Sequence, residues 1–99
     1  MKLEDWRNEI DSIDTEIVRL INKRAEIAKK IGVLKLTAGL PIVDGDREEA
    51  ILLDICGKNQ GELTDESLIR IFRQIIRESR QIQTKIADQI IENKTEIYR

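Results

Sequence analysis

Large apolar residues recur in alternating steps of four and three positions along the first third of the chain, which places them on one face of a helix. The pattern predicts a helix from about Leu3 to Thr37, with Gly39 suited to the C-terminal cap and Pro41 preventing further propagation. One position of this face is occupied by Arg24. We call the apolar face the seam, and it consists of Trp6, Ile10, Ile13, Ile17, Leu20, Ile27, Ile31 and Leu34.

Two further helices are predicted downstream. A short one starts at Asp44, a favourable N-cap, in the segment VDGDREEAILLDICGK. The segment GKNQG is predicted to be a loop, and a long helix then begins at Thr64 or Asp65 and runs to about Lys94, with the last residues, NKTEIYR, expected to fray. Ser79 interrupts the apolar face of this third helix, which otherwise contains Leu68, Ile71, Phe72, Ile75, Ile82, Ile86 and Ile90.

The order of the elements predicts an all-α fold of three helices, long–short–long, in a single domain of residues 1–99. A first helix of about 35 residues would be about 52 Å long. A compact chain of this size has a radius of gyration of about 13 Å, hence a diameter of roughly 35 Å. Because the helix overshoots such a globule, its seam needs a second copy to cover it. We therefore predict an intertwined homodimeric helical bundle.

Composition excludes several classes of function. The net charge of -2 lacks the basic excess of a nucleic-acid binder, and no apolar run is long enough for a membrane span. The chain has no histidine, so histidine acid–base catalysis is excluded and a zinc site is not expected. The N-terminus, MKLEDWRNE, is too polar for a signal peptide, and the single Cys56 cannot form an internal disulfide. We expect a cytoplasmic protein.

Two cations of the first helix share one face. A buried guanidinium without an anionic partner costs several kcal/mol, so Arg24 needs either water or an anion. Lys35 lies eleven residues beyond it, close to three full turns. Taken alone, Arg24 could extend its head group to solvent, and Lys35 could be a solvated lysine favoured by the helix dipole.

Polar residues interrupt the other two helices as well. On the third helix Gln83 follows Ser79 by one turn, and on the short helix Asp44, Arg47 and Glu48 share a face. Simpler interpretations exist for each of them. Ser79 could bond to the carbonyl four residues earlier, Gln83 could lie on the surface, and Arg47 could form an exposed ion pair with Asp44.

All these interruptions could instead meet in one cavity between three helices, which is where helical bundles build their sites. The donors would be arginines, a lysine, a serine and a glutamine, and the acceptors would be two carboxylates. This set suits a small polyanion that carries a hydroxyl, since arginines bind carboxylates in a bidentate manner. It offers no thiol nucleophile, no histidine and no carboxylate cluster for a metal.

At this point the sequence resembles the all-helical, AroQ-type chorismate mutases. The matching segments are WRNEID, DTEIVRLINKRAEIAKKIGVLK, PIVDGDREEAIL and IFRQIIRESRQIQ, and they cover about residues 6–86. Three spacings coincide: from Arg7 to Arg24 to Lys35, D-x-x-R-E from Asp44 to Glu48, and S-x-x-x-Q from Ser79 to Gln83. The resemblance implies an intertwined dimer that converts chorismate to prephenate, without a cofactor, in phenylalanine and tyrosine biosynthesis.

The resemblance also implies roles for the residues that bind the substrate's carboxylates. Arg24 and Ser79 would hold the ring carboxylate. Arg7 would reach from the partner chain to the enolpyruvyl carboxylate, which Lys35 would also help to bind.

Further roles concern the ether and hydroxyl oxygens of the substrate. Lys35 and Gln83 would donate hydrogen bonds to the ether oxygen. Glu48, with the backbone of Asp44, would bind the ring hydroxyl, and Arg47 would pair with local carboxylates and shape the positive pocket. Arg24, Lys35, Glu48 and Gln83 would form the catalytic set.

Two alternatives remain at the level of sequence. Isochorismate–pyruvate lyases are similar in fold, but their D-x-x-R-E segment is altered, and its intact form here favours the mutase. A non-catalytic helical dimerisation or regulatory module is the other alternative, although such a module has no reason to place polar residues of three helices at matching heights.

Overall fold

The computed structural model describes residues 1–97 and consists of three α-helices, α1 (Leu3–Ala38), α2 (Gly45–Lys58) and α3 (Asp65–Ile97). Their lengths are 36, 14 and 33 residues, so the predicted all-α, long–short–long order is confirmed. Within this described part, no helix is long and apolar enough to cross a membrane.

The helix ends follow the local sequence. Gly39 ends α1 in the left-handed conformation, with a φ of 68°, and the Asp44 carboxylate accepts a 3.0 Å bond from the N–H of the third residue after it. Thr64, rather than Asp65, caps α3. Two boundaries differ from the prediction, since Gly57 is helical and α3 continues to Ile97. The remainder of the segment expected to fray, residues 98–99, lies outside the described residues.

The core lies between the second half of α1 and the middle of α3. Its most buried apolar residues are Ala28, Ile76 and Ala87, and Gly32 is buried beside them. Arg24 contacts Ser79, and Ala28 contacts Gln83, so the two helices run side by side in the same direction. Helix α2 packs on α3. Small residues of α1 therefore allow α3 to approach it closely.

The seam is exposed along its whole length, not only at its ends. Every residue from 1 to 23 is exposed, and Ile13 retains 57% of its accessible surface. Farther along, Ile27 and Ile31 retain 49% and 42%. The radius of gyration is 17.9 Å and the longest extent 65 Å, well beyond the roughly 13 Å radius of a compact chain of this length. A single chain thus leaves the apolar seam of α1 uncovered.

Candidate active site

Polar residues of all three helices meet around one cavity of about 420 Å³. Seven of the eight residues singled out from the sequence line it; the exception is Arg7. The complete lining comprises Arg24, Ile27, Ala28, Ile31, Lys35, Ile42, Asp44, Arg47, Glu48, Ile51, Ile76, Ser79, Arg80 and Gln83. The size is that of a small-molecule site.

Within the chain, the hydrogen-bond partner of Arg24 is a hydroxyl group and not an anion. Its Nη1 donates to Ser79 Oγ, and that hydroxyl donates in turn to the Ile75 carbonyl at 3.1 Å. The back-bond considered for Ser79 therefore exists, and it leaves an oxygen lone pair free to accept from Arg24. Among residues 1–94, whose side chains the structure describes, the half-buried Arg24 guanidinium has no carboxylate partner. Its remaining N–H groups are available to an anionic ligand.

Gln83 is buried, with 7% of its surface accessible, so the interpretation as a surface glutamine is wrong. Its Nε2 donates to the Ala28 carbonyl at 3.1 Å, and its Oε1 accepts from Lys35 Nζ at 3.2 Å. An ammonium group can only donate and a carbonyl oxygen can only accept, which fixes the orientation of the amide. One N–H of Nε2 remains for a ligand.

The Lys35 ammonium group is held beside the Gln83 amide. Its Nζ also donates to the Ile42 carbonyl at 2.7 Å, in the connection between α1 and α2. The side chain is half-buried, so the expectation of a solvated lysine is wrong. Because an ammonium group has three N–H donors, one remains beside the free N–H of Gln83. Two preorganised donors therefore share one wall of the cavity.

The short helix contributes three charged residues with different partners. The Asp44 carboxylate caps the N-terminus of α2, and Arg47 makes no side-chain ion pair among the described residues, so the exposed Asp44–Arg47 pair considered above is absent. Glu48 instead binds Arg80 of α3 through both carboxylate oxygens, one of them 2.7 Å from Arg80 Nε. This hydrogen bond to a carboxylate raises the pKa of Arg80.

Sequence reasoning missed Arg80. The residue follows Ser79 directly and precedes Gln83 by one turn, so it borders the apolar face without lying on it. The spacing to Gln83 was the available signal, but the partner on α2 could not be identified from the pattern. In the part of the chain described here, the Arg80–Glu48 pair joins two different helices, whereas the other ion pairs lie within one helix.

Arg7 lies far from the cavity of its own chain. It is exposed and pairs with Glu4 at 2.9 Å. Seventeen residues separate it from Arg24, about 25 Å along a helix. Its assignment to a partner's cavity stays a prediction.

The electrostatics of the cavity favour an anion. Four cations (Arg24, Lys35, Arg47 and Arg80) and two carboxylates (Asp44 and Glu48) give its wall a net charge of +2, in a chain whose net charge is -2. Among the described residues, no group of three or more acidic or cysteine side chains could hold a metal ion. The arrangement can bind and orient a small dianion and can donate hydrogen bonds to it.

The chain matches a family model described as chorismate mutase type II over residues 6–84. A chorismate mutase of Methanocaldococcus jannaschii is 33% identical over 89 residues, covering 89% of this chain and 90% of that protein. A bifunctional chorismate mutase/prephenate dehydratase of Aquifex aeolicus is 42% identical over 89 residues, covering 86% of this chain and 25% of that protein. The chain thus spans a quarter or less of the length of such bifunctional relatives.

Solved structures give the same result. The chorismate mutase (form II) of Thermus thermophilus superposes with a TM-score of 0.83 at 31% identity, covering 85% of this chain and 96% of that one. The chorismate mutase of Helicobacter pylori in complex with prephenate superposes with a TM-score of 0.80 at 34% identity, covering 87% and 93%.

Proposed function

Because this chain belongs to the chorismate mutase type II family, we propose that it catalyses the rearrangement of chorismate to prephenate. The observation that carries the proposal is the pair of free donors from Lys35 and Gln83, next to an Arg24 guanidinium without a carboxylate partner. A cavity wall with a net charge of +2 complements a substrate with two carboxylates.

The reaction needs little chemistry from the protein. One ether carbon–oxygen bond breaks while one carbon–carbon bond forms in the same molecule, with no proton or group transferred to the enzyme. The protein has two tasks: it selects the compact conformer in which the two carbons meet, and it stabilises the negative charge that grows on the ether oxygen. Fixed cations and hydrogen-bond donors suffice for both.

The seven cavity residues that were singled out from the sequence each have a role in this proposal. Arg24, supported by Ser79, holds the ring carboxylate, and Lys35 binds the enolpyruvyl carboxylate while donating to the ether oxygen. The one free N–H of Lys35 serves the ether oxygen, and the carboxylate is attracted by the ammonium charge. Gln83 donates to the same ether oxygen from the other side. The ring hydroxyl is bound by Glu48 and the backbone of Asp44, and Arg47 adds positive charge.

The active species in this proposal is a homodimer. Residues 1–23 are exposed in one chain, and this segment includes Arg7 and five large seam residues. Packing against a second copy would bury the seam and could bring Arg7 to the enolpyruvyl carboxylate in the partner's cavity. The lone half-buried Cys56 fits a reducing cytoplasm.

A chorismate-consumption assay on the purified chain tests the proposed reaction. We expect prephenate to form in step with chorismate loss, and we expect a Lys35→Ala variant to lose nearly all of this activity. Incubation with isochorismate separates the lyase, which would yield salicylate and pyruvate. A chain that binds neither substrate would favour the non-catalytic module and would refute the proposal.

A further inference from the structure

Gly32 meets the backbone of α3 at Gln83. A Cβ atom at position 32 would lie 3.0 Å from Gln83 Cγ and 3.1 Å from both its Cα and its Cβ. Carbon atoms pack best about 3.5–4.0 Å apart, so any side chain here forces a displacement. Since one of the three atoms is backbone, rotation of the Gln83 side chain cannot relieve the contact. At Gly57, by contrast, a Cβ would meet nothing within 4 Å.

The Gln83 amide forms hydrogen bonds to α1 on both sides of Gly32. Its Nε2 donates to the carbonyl of Ala28, four residues before Gly32, and its Oε1 accepts from Lys35, three residues after it. In an α-helix the Ala28 carbonyl also accepts the N–H of Gly32 itself. The amide therefore binds α1 at the very turn where a side chain is missing.

We propose that Gly32 is a positioning residue for Gln83, and that its missing side chain lets the amide present its free N–H to the reacting ether oxygen. The inference rests on the proposed mutase function. Glycine is a poor helix former, so its place inside a 36-residue helix calls for a packing reason. The contact with Gln83 supplies that reason and ties it to the site.

The test compares Gly32→Ala with Gly57→Ala, a matched control at a helical glycine with open space around it. Both substitutions raise helix propensity. We expect Gly57→Ala to leave kcat unchanged. We expect Gly32→Ala to remain helical by circular dichroism and to lower kcat on the order of 10- to 100-fold, with a smaller change in KM, because small misplacements of a catalytic group have effects of that size. An unchanged kcat, or loss of the helical signal, would overturn the proposal.

A double-mutant cycle with Gln83→Ala separates positioning from general damage. Alanine at position 83 keeps the Cα and Cβ atoms that a side chain at position 32 would strike, but it removes the amide. If Gly32 acts through the amide, Gly32→Ala has no further effect on kcat in the Gln83→Ala background. An equal loss in both backgrounds would mean that the displacement of α3 acts on the site through groups other than the Gln83 amide, and the proposal would fail.

A readout independent of activity is the hydrogen exchange of the Gln83 side-chain amide, followed by NMR in labelled protein. We expect protection in the natural sequence and in Gly57→Ala, and faster exchange in Gly32→Ala. Unchanged exchange in Gly32→Ala would overturn the positioning role. Failure of the unmutated chain to convert chorismate, with the exchange result as expected, would count against the proposed reaction alone.

Discussion

The two halves of α1 share one apolar pattern but differ in their surroundings. In the first half, residues 3–23, every residue is exposed. The second half, from Arg24 to Leu36, contains the buried residues Ala28 and Gly32 and supplies cations to the cavity. Spacing alone does not distinguish them, since the steps of four and three run through both. A regular apolar face indicates that something will cover it, but not which chain does so.

The second half adds a different face for contact within the chain. Small residues, Ala28 and Gly32, meet α3, while the seam residues Ile27 and Ile31 line the cavity and stay partly exposed. In this half the small residues therefore serve the contact with α3, and the large seam residues are left for the cavity wall and for the expected contact between chains. The polar residues of the site lie where these two faces of the helix adjoin.

The largest effect is expected from a charge on the seam of the first half. In Ile13→Asp, a carboxylate would be buried without a partner in the proposed dimer, at a cost of several kcal/mol. We expect a monomer by sedimentation and a loss of activity of more than about 100-fold, because the substrate would lose Arg7 as well. Asn22→Asp adds the same charge on the opposite face of α1 and should leave the dimer intact. A dimeric Ile13→Asp variant, or a monomeric natural chain, would contradict the assignment of the first half of α1 to the contact between chains.

Substitutions in the second half should affect catalysis without affecting assembly. We expect Arg24→Ala and Lys35→Ala each to lower kcat/KM on the order of 100-fold or more, since each removes a preorganised charged donor. Sedimentation should still give dimers. Lys29→Ala, which removes an exposed cation from the same half, is the control and should keep its activity. If the control lost as much as Lys35→Ala, general electrostatics would explain the effect better than the site.

Gln83→Glu turns the same wall of the cavity into a pH-dependent one. A carboxyl group donates a hydrogen bond only when it is protonated, whereas the amide donates at any pH. Ionised, it would also place an oxygen against the Ala28 carbonyl, 3.1 Å from the present Nε2. We expect activity mainly at acid pH and on the order of 100-fold less at neutral pH. Unchanged activity at neutral pH would refute the role of Gln83.

Sequence reasoning succeeded where one residue sets the outcome locally. Gly39 and Asp44 ended and started their helices as predicted, because cap geometry depends on neighbouring residues only. The meeting of Arg24 with Ser79 was also within reach, since a polar interruption on each of two apolar faces indicates a shared interior. That Arg24 binds a hydroxyl and has no carboxylate nearby is a result of the packing of the helices.

Other features depend on distances between helices, which cannot be inferred from the spacing of apolar residues along the sequence. The pairing of Glu48 with Arg80 requires the placement of α2 on α3. The role of Gly32 requires the separation of α1 and α3, because the contact is decided by tenths of an ångström. Asp44 was considered as a partner for Arg47, but its carboxylate is taken up by the backbone at the start of α2.

The smallest effect is expected from Glu16→Gln, on the exposed half of α1. Arg19 binds Glu16 and lowers its pKa below the ordinary value of 4.5. The pair's contribution to stability is therefore complete above that ordinary pKa and disappears as the pH falls through the lowered one. Because both side chains are exposed, solvent screens the pair, and we expect Glu16→Gln to lower Tm by about 2 °C or less at neutral pH, with the difference shrinking as the pH falls below the ordinary pKa. A markedly larger shift at neutral pH would mean that Glu16 is shielded from solvent, and would place the dimer contact on a broader face of α1 than the seam.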